Sequence, residues 1–150
     1  AHPMLIGLDP RTTPDLLWAL ARMGHGDEIV IADANYPAAW SAHGCIIKDP
    51  IAYPGHDAAE VADLITQLMP LDTFHTHSVL RMEIANAPDT MAEPHRAVWD
   101  LVTPRLPDGG ILSSLARQAF YKRAGGSFAV VHCSEARPFG CFILRKGVIV

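Results

Sequence analysis

The chain has 150 residues, of which 49% are hydrophobic and 19% are charged, and its formal net charge is -4. This composition favours a single folded domain over residues 1–150 and argues against disorder, and the lack of a basic run argues against nucleic-acid binding. No apolar stretch approaches the roughly 20 residues that cross a bilayer. The chain has three cysteines without Cys-x-x-Cys spacing and shows no signal-peptide pattern, and these features predict a cytoplasmic protein.

The N-terminal part of the chain predicts one helix followed by one buried strand. Leu5 to Leu8 is apolar and predicts a short edge strand or an extended arm. Residues 13–15, Thr-Pro-Asp, combine a capping hydroxyl, a first-turn proline and an acidic side chain, so a helix is expected to begin there. Gly24 is expected to end this helix in the left-handed conformation. The run Glu28 to Ala32 predicts a strand that is covered on both faces.

The middle of the chain alternates between the two element types. Residues 35–54 show no clear period and indicate a functional or interface loop, in which 45–47 is a candidate short strand. A second helix is expected over 57–69, where an aspartate is the capping residue. Residues 78–84 predict the next strand, and Pro94 is expected to begin a third helix.

The C-terminal part predicts a fourth helix and further strands. The helix is expected over Ser113 to Ala124, followed by strands at Phe128 to Val131 and Phe142 to Leu144, with 147–150 as another short strand. No repeat or linker divides the chain. We therefore predict an α/β fold: a single compact domain whose central, largely parallel sheet carries helices on both faces, in three layers.

Two polar residues flank the first predicted strand. His25 lies between two glycines, so a ligand could approach its ring closely, and Asp33 follows the end of the strand. An imidazole and a carboxylate can form an acid–base pair that works near neutral pH. The alternative is that the glycines only make a turn and that Asp33 caps or braces a loop.

Arg117 and Tyr121 lie four residues apart on the fourth predicted helix and therefore share one face. A guanidinium and a phenol on one face could hold a polyhydroxylated ligand. The alternative is an ordinary surface arginine beside an amphipathic tyrosine.

His75 and His77 could place two imidazoles on one strand face as a metal pair, to which His43 and Cys45 could add ligands. The pattern lacks a further carboxylate or histidine at tight spacing, so solvated or interface histidines are the favoured interpretation, and no metal site is expected. Cys133 and Cys141 are expected to be small buried hydrophobic residues in or beside strands.

Several segments carry a resemblance to one known family: 13–17, 23–29, 32–37, 69–72, 120–124 and 144–147. Together they make the chain similar to the L-fucose mutarotase and D-ribose pyranase family over nearly its whole length. The segments at 23–29 and 32–37 are specific, and 120–124 with 144–147 resemble the fucose branch more closely.

The resemblance implies a compact α/β fold that assembles into a ring of five or ten subunits, a pentamer or decamer, with active sites at subunit interfaces. It also implies a cofactor-independent isomerase that interconverts anomers or ring forms of a free monosaccharide such as L-fucose. By the same match, His25 resembles the family's acid–base histidine and Asp33 the sugar-binding aspartate beside it. Arg117 and Tyr121 match sugar-contacting positions, and Asp72 matches a position that helps bind sugar in some members.

One motif departs from the family pattern. Where the family carries Tyr-x-Asn near the C-terminus, this chain has Phe139-Gly140-Cys141. Phenylalanine keeps a stacking face but lacks the hydroxyl, and cysteine replaces an amide with a weak donor. A site with fewer polar partners discriminates less between sugars. The departure favours an alternative function, a non-catalytic monosaccharide-binding or sensing protein of the same fold, and a purely structural ring subunit is a third possibility.

Overall fold

The computed structural model describes residues 5–150, in which helices and strands alternate along the chain. The α-helices are α1 (Pro14–Arg22), α2 (Ala38–Ala42), α3 (Ala58–Leu68), α4 (Glu93–Val102) and α5 (Arg117–Ala124), and a short 3₁₀ helix (Thr103–Arg105) follows α4. The strands are β1 (Glu28–Ala32), β2 (Ile51–Tyr53), β3 (Val79–Met82), β4 (Leu112–Leu115), β5 (Ala129–Cys133) and β6 (Phe142–Arg145). Between residues 5 and 150, no helix combines the length and apolar character that a membrane span requires.

One mixed sheet, with β1 near its centre, organises these elements. The strand order is β2-β5-β1-β6-β3-β4. β1 runs parallel to β5 and antiparallel to β6, so that Ile29 lies opposite Ala129 on one side and opposite Leu144 on the other. The reversal of β6 follows from the link at 134–141, because a parallel crossover needs a dozen or more residues.

Helices cover both faces of this sheet. On one face, α1, α3 and α4 pack against Ile29 and Ile31, and on the other face α2 and α5 pack against Val30 and Ala32. Successive side chains of β1 alternate between the faces, and every residue of the strand is buried. The arrangement confirms the predicted three-layer α/β fold with a largely parallel sheet, and β1 has the predicted bounds.

The helix caps form as the sequence predicts. The Thr13 hydroxyl accepts a hydrogen bond from the Leu16 backbone N–H at 3.3 Å. Asp57 caps α3 in a capping box with Glu60, whose carboxylate faces the Asp57 N–H in return. These signals are local, so the sequence alone is enough to recognise them.

Several predicted elements are wrong. Residues 5–8, 45–47 and 147–150 are not strands, although the Ile47 N–H donates to the Phe128 carbonyl at 2.9 Å. The predicted loop at 35–54 contains α2 and β2 instead. An apolar run becomes a strand only where a sheet edge can receive it, which these short runs alone do not reveal.

The predicted fourth helix at Ser113 to Ala124 is also wrong in its first half. β4 forms there, parallel to β3 with Leu112 opposite Val79, and α5 begins only at Arg117. The serines of β4 are weak helix formers, and pairing with β3 determines their conformation. Gly24 does not end α1 in the left-handed conformation, because the extended residue Met23 is the cap. The left-handed glycine in this turn is Gly26, with a φ of 87°.

Candidate active site

A polar pocket opens at the C-terminal end of β1. Its volume is about 160 Å³. Its walls come from the residues after β1, the end of β3, the helix α5 and the link before β6: Asp33, Asn35, Tyr36, Met82, Arg117, Tyr121, Pro138, Phe139 and Cys141. The structure thus brings together five of the seven candidate residues from the sequence, namely Asp33, Arg117, Tyr121, Phe139 and Cys141.

The helix α5 supplies the cationic wall of this pocket. The Arg117 guanidinium carbon lies 5.7 Å from the centre of the Tyr121 ring, and that ring meets Tyr36 edge-on at 5.2 Å. The Tyr36 hydroxyl is engaged with the Ser41 hydroxyl at 2.8 Å. No carboxylate in residues 5–150 forms an ion pair with Arg117, so its N–H groups can serve a ligand.

Asp33 supplies the anionic wall. Its Oδ1 accepts a hydrogen bond from the Asn35 N–H at 3.1 Å, and its own N–H donates to the Cys141 sulfur at 3.4 Å. Burial raises the pKa of the Asp33 carboxyl above its ordinary value, and the hydrogen bonds from Cys141 and Asn35 oppose that shift. Burial also raises the pKa of the Cys141 thiol well above its usual value, so the thiol stays neutral.

Phe139 forms the apolar wall in an uncommon backbone conformation. Its φ is 62°, in the left-handed region that non-glycine residues seldom adopt. The fully buried His95 accepts the Ala92 N–H at Nδ1 and therefore donates from Nε2 to the Phe139 carbonyl at 2.8 Å. Sequence reasoning missed His95, which carried no signal beyond its helical position.

Four of the pocket residues were missed: Asn35, Tyr36, Met82 and Pro138. Asn35 and Tyr36 directly follow Asp33 and lie inside the segment 32–37 that carried the family resemblance, so a signal for them was present. Met82 ends β3 and reads from the sequence as an ordinary core residue.

His25 lies at the other end of β1, in a cluster around Asp72. His25 Nε2 is 2.9 Å from Asp72 Oδ1, which also accepts the Phe74 N–H at 3.1 Å. His75 Nδ1 makes a short hydrogen bond with Asp72 Oδ2. Burial alone would raise the pKa of Asp72, but the hydrogen bonds from His75 and His25 outweigh it and lower the pKa to about 2. Asp72 is therefore an ionised acceptor, and both imidazoles donate to it.

The predicted pairing of His25 with Asp33 is wrong within one chain. The two residues flank β1, and a strand of this length separates its ends by about 13 Å. The carboxylate partner of His25 is Asp72, 47 positions along the chain. His25 is exposed but does not line the pocket that contains Asp33.

His75 and His77 do not form a metal pair, which was the less favoured interpretation of their spacing. His77 is buried and its Nε2 lies 2.6 Å from Glu28 Oε2, whereas His75 is exposed and bonds to Asp72. Glu28 also accepts Arg123 Nε at 2.8 Å and Arg145 Nη1 at 3.2 Å. This Glu28 network closes the N-terminal end of β1 beside the His25 cluster.

Within residues 5–150, one group of three side chains has the spacing to hold a metal ion: His25, Asp72 and His75. His43 and Cys45, the other suggested ligands, are not part of it. Cys45 is buried and its thiol donates to the Ser41 carbonyl at 3.4 Å.

Replacing Asp33 with asparagine should weaken the binding of a polyhydroxylated ligand by about 10- to 100-fold, because a hydrogen bond to a charged acceptor is lost.

Since burial raises the pKa of folded Asp33 above the unfolded value, its ionised form costs stability at neutral pH, and this cost disappears as the pH falls. The variant should therefore unfold at a higher denaturant concentration at pH 7.

The pH dependence of ligand affinity gives an independent check on the role of Asp33. Ligand affinity of the unmodified protein should fall as the pH drops through the raised pKa of Asp33, and the Asp33→Asn variant should lack that transition. Asp15→Asn, at an exposed carboxylate in the first turn of α1, is the control. Calorimetric titration with L-fucose measures both effects, and equal affinities in the three proteins would contradict the assignment of Asp33.

A family model described as the RbsD / FucU transport protein family matches residues 7–149. The chain is 38% identical over 148 residues to the fucose mutarotase of Bos taurus, covering 97% of this chain and 95% of that protein. A bacterial relative, the L-fucose mutarotase of Histophilus somni (strain 2336), is 32% identical and is covered to 97%. These similarities extend over nearly the full length of the chains compared.

The fold is also similar to solved structures. The fucose mutarotase of Streptococcus pneumoniae in complex with L-fucose superposes with a TM-score of 0.85 at 34% identity, covering 97% of this chain and all of that one. RbsD of Bacillus subtilis, solved with D-ribose, superposes with a TM-score of 0.71 at 23% identity, over 92% of this chain and 95% of that one. At that identity the second likeness concerns the fold alone.

Proposed function

This chain belongs to the RbsD / FucU transport protein family, and from its similarity to fucose mutarotases we propose that it is an isomerase, a sugar mutarotase. It interconverts the α and β anomers of a free monosaccharide, L-fucose or a related sugar, without a cofactor. The observation that carries the proposal is the pocket at the end of β1, which groups the carboxylate of Asp33, the guanidinium of Arg117 and the phenol of Tyr121. Such donors and acceptors fit the hydroxyl groups of one sugar ring.

The reaction needs one proton removed from the anomeric hydroxyl and one delivered to the ring oxygen. The ring then opens to the aldehyde, the carbonyl group rotates, and the steps reverse. Because Asp72 accepts the Nε2–H of His25, the opposite nitrogen, Nδ1, carries the lone pair that takes the proton. His25 is the acid–base group in this mechanism, and Asp72 fixes its tautomer and orientation.

The pocket holds the sugar while the proton moves. Asp33 accepts a sugar hydroxyl, and Arg117 and Tyr121 donate to the others. Phe139 and Cys141 offer an apolar wall, on which a less polar edge of the sugar packs. Binding that fixes the sugar against a proton-transfer group supplies much of the rate enhancement in such reactions.

A complete site requires two subunits, because His25 and the pocket lie at opposite ends of β1 in one chain. We therefore place the working enzyme in a ring of five or ten subunits, in which His25 of one subunit meets the pocket of its neighbour. Exposed aromatic side chains support self-association: Phe74, beside His25, is 67% exposed, and Trp40 on α2 is 66% exposed. A cytoplasmic setting fits the three free cysteines.

Saturation-transfer NMR on the α and β anomers of L-fucose tests the activity directly. The full chain should transfer saturation between the anomers faster than buffer alone. Exchange at the buffer rate for L-fucose, D-ribose and related sugars would reject the mutarotase proposal. Calorimetric sugar binding without faster exchange would select the alternative, a binding or sensing protein, which Phe139 and Cys141 favour because they remove polar partners from the pocket.

Mixing two inactive variants tests the shared site. Neither His25→Ala nor Arg117→Ala alone should catalyse exchange well, since each lacks one half of every site. Rings reassembled from equal amounts of both should regain up to about a quarter of the original activity, the fraction of interfaces that combine two intact halves. Light scattering confirms ring formation, and no recovery in mixed rings would place His25 and the pocket in separate sites.

A further inference from the structure

The cluster around Asp72 has the donor set of a transition-metal site. One ligand atom each from His25, Asp72 and His75 lies within 4.8 Å of the others. Asp72 and His75 come from the link between α3 and β3, and His25 comes from the link between α1 and β1. Two imidazole nitrogens and one carboxylate oxygen suit Zn²⁺, Co²⁺ or Ni²⁺, whereas Ca²⁺ and Mg²⁺ prefer oxygen ligands.

The burial of these side chains leaves one side of the cluster open to an ion. The side chains of His25 and His75 are 40% and 43% exposed, while that of Asp72 is fully buried. A metal bound here would therefore keep at least one coordination position facing solvent. Three protein ligands and an open position are the usual arrangement of accessible zinc sites.

The surroundings of Asp72 hold its carboxylate in place. The Phe74 N–H donates to Oδ1 at 3.1 Å, and Arg145 Nε lies 3.5 Å from Oδ2. The Phe74 ring also packs edge-on against His25, with centroids 5.1 Å apart. Outer contacts of this kind orient metal ligands and raise affinity.

The imidazole protons do not prevent metal binding. Each neutral imidazole now donates one N–H to Asp72, but that proton can move to the opposite nitrogen and leave a lone pair facing the carboxylate. The positive charge of Arg145 opposes an added cation, although Arg145 is also paired with Glu28 at 3.2 Å. Because the ligands can accept an ion while Arg145 opposes its charge, we expect reversible metal binding rather than a permanently occupied structural site.

We propose that His25, Asp72 and His75 form a reversible divalent-metal site of the zinc type, and that occupation of this site inhibits the protein by engaging His25. Metal binding itself goes beyond the mutarotase function and does not depend on it. The inhibition rests on that function, because an ion on His25 Nε2 leaves the proton on Nδ1, which then has no lone pair to take the anomeric proton.

Titration of the full chain with Co²⁺ and with Zn²⁺ tests the site without any activity assay. We expect one ion per chain, with the visible absorption of Co²⁺ in a low-symmetry site. His75→Gln and His75→Asn should each weaken binding at least about tenfold. His56→Gln is the matched control, because His56 is a partly exposed histidine that pairs with Glu60 at 3.0 Å on α3. Undetectable binding, or equal binding in all four proteins, would overturn the proposal.

The inhibition has its own measurement. Zn²⁺ should slow anomer exchange by the unmodified protein and by His56→Gln, and EDTA should restore it. His75→Gln should exchange at close to the original rate and should resist the same Zn²⁺ concentration. Zinc inhibition that persists in His75→Gln would contradict the assigned ligands. If the unmodified protein shows no exchange at all, the mutarotase function fails while the Co²⁺ titration still decides the metal site.

Discussion

Replacing His25 with alanine should slow catalysed anomer exchange by about 10²- to 10⁴-fold, the contribution that a positioned acid–base group typically makes. Without the imidazole, the anomeric proton must pass to water, which neither Asp72 nor the pocket orients. The fold should survive, since the His25 side chain is partly exposed and contacts chiefly Asp72, Phe74 and His75. Asp72 keeps the His75, Phe74 and Arg145 contacts, so the free energy of unfolding should change by about 1 kcal/mol or less.

The measurement is the saturation-transfer rate on L-fucose at equal protein concentration. His56→Ala is the control, because it removes a histidine from a surface pair with Glu60 and should leave the exchange rate unchanged. Added imidazole should restore part of the rate in His25→Ala and have no effect on the control. Full activity of a correctly folded His25→Ala variant would exclude this residue as the proton-transfer group.

Replacing Glu28 with glutamine should destabilise the fold by about 3 to 5 kcal/mol, because the substitution removes one partner of a buried charge network. The Glu28 side chain is 10% exposed and accepts hydrogen bonds from Arg123, Arg145 and His77. A neutral amide in its place leaves Arg123 without its counter-charge and leaves Arg145 with Asp72 alone at the end of β1. For a domain of this size, the loss corresponds to a melting temperature lower by about 6 to 20 °C.

The pKa of Glu28 determines in which direction the stability changes with pH. Burial alone would raise the pKa of Glu28, but the hydrogen bonds and charges of His77 and Arg123 outweigh it and lower the pKa. The stabilisation from Glu28 is therefore present above the unfolded pKa of about 4.3 and is lost as the pH falls through the lower, folded value. Glu28→Gln should lose this acid transition.

Urea unfolding between pH 3 and pH 7 measures both effects. Glu60→Gln is the control, since Glu60 forms a surface pair with His56 and should contribute about 1 kcal/mol or less. If Glu28→Gln unfolds at the same urea concentration as this control, the buried network does not stabilise β1.

The sequence predicted those elements whose signals are local. The caps at Thr13 and Asp57 fix the starts of α1 and α3, and the apolar run Ile29 to Ala32, with Glu28 before it, gives β1 its bounds. β4 was missed because Leu-Ser-Ser-Leu has no strand signal of its own and takes its conformation from β3. The antiparallel course of β6 follows from the short link before it, which requires β5 to be placed first.

The site was predicted only in part, because tertiary contacts rather than local signals bring its residues together. Helical spacing connected Arg117 with Tyr121, but Asp33 lies far from both in sequence, and only the family resemblance placed it in the same site. Proximity in sequence suggested that His25 pairs with Asp33, but the extended strand β1 lies between them and places them at its opposite ends. Only the tertiary structure reveals that Asp72 is the carboxylate partner of His25.

β6 connects the same two regions as β1. Cys141, directly before β6, lines the pocket, while Arg145, its last residue, lies beside Asp72. In the proposed ring, these two hydrogen-bonded strands would act as a fixed spacer between the His25 cluster that a subunit supplies to one neighbour and the pocket that receives His25 from another. If the proposed ring forms, lengthening this spacer by a single residue would misalign two shared sites at once, so insertions should be tolerated far less here than in the surrounding loops.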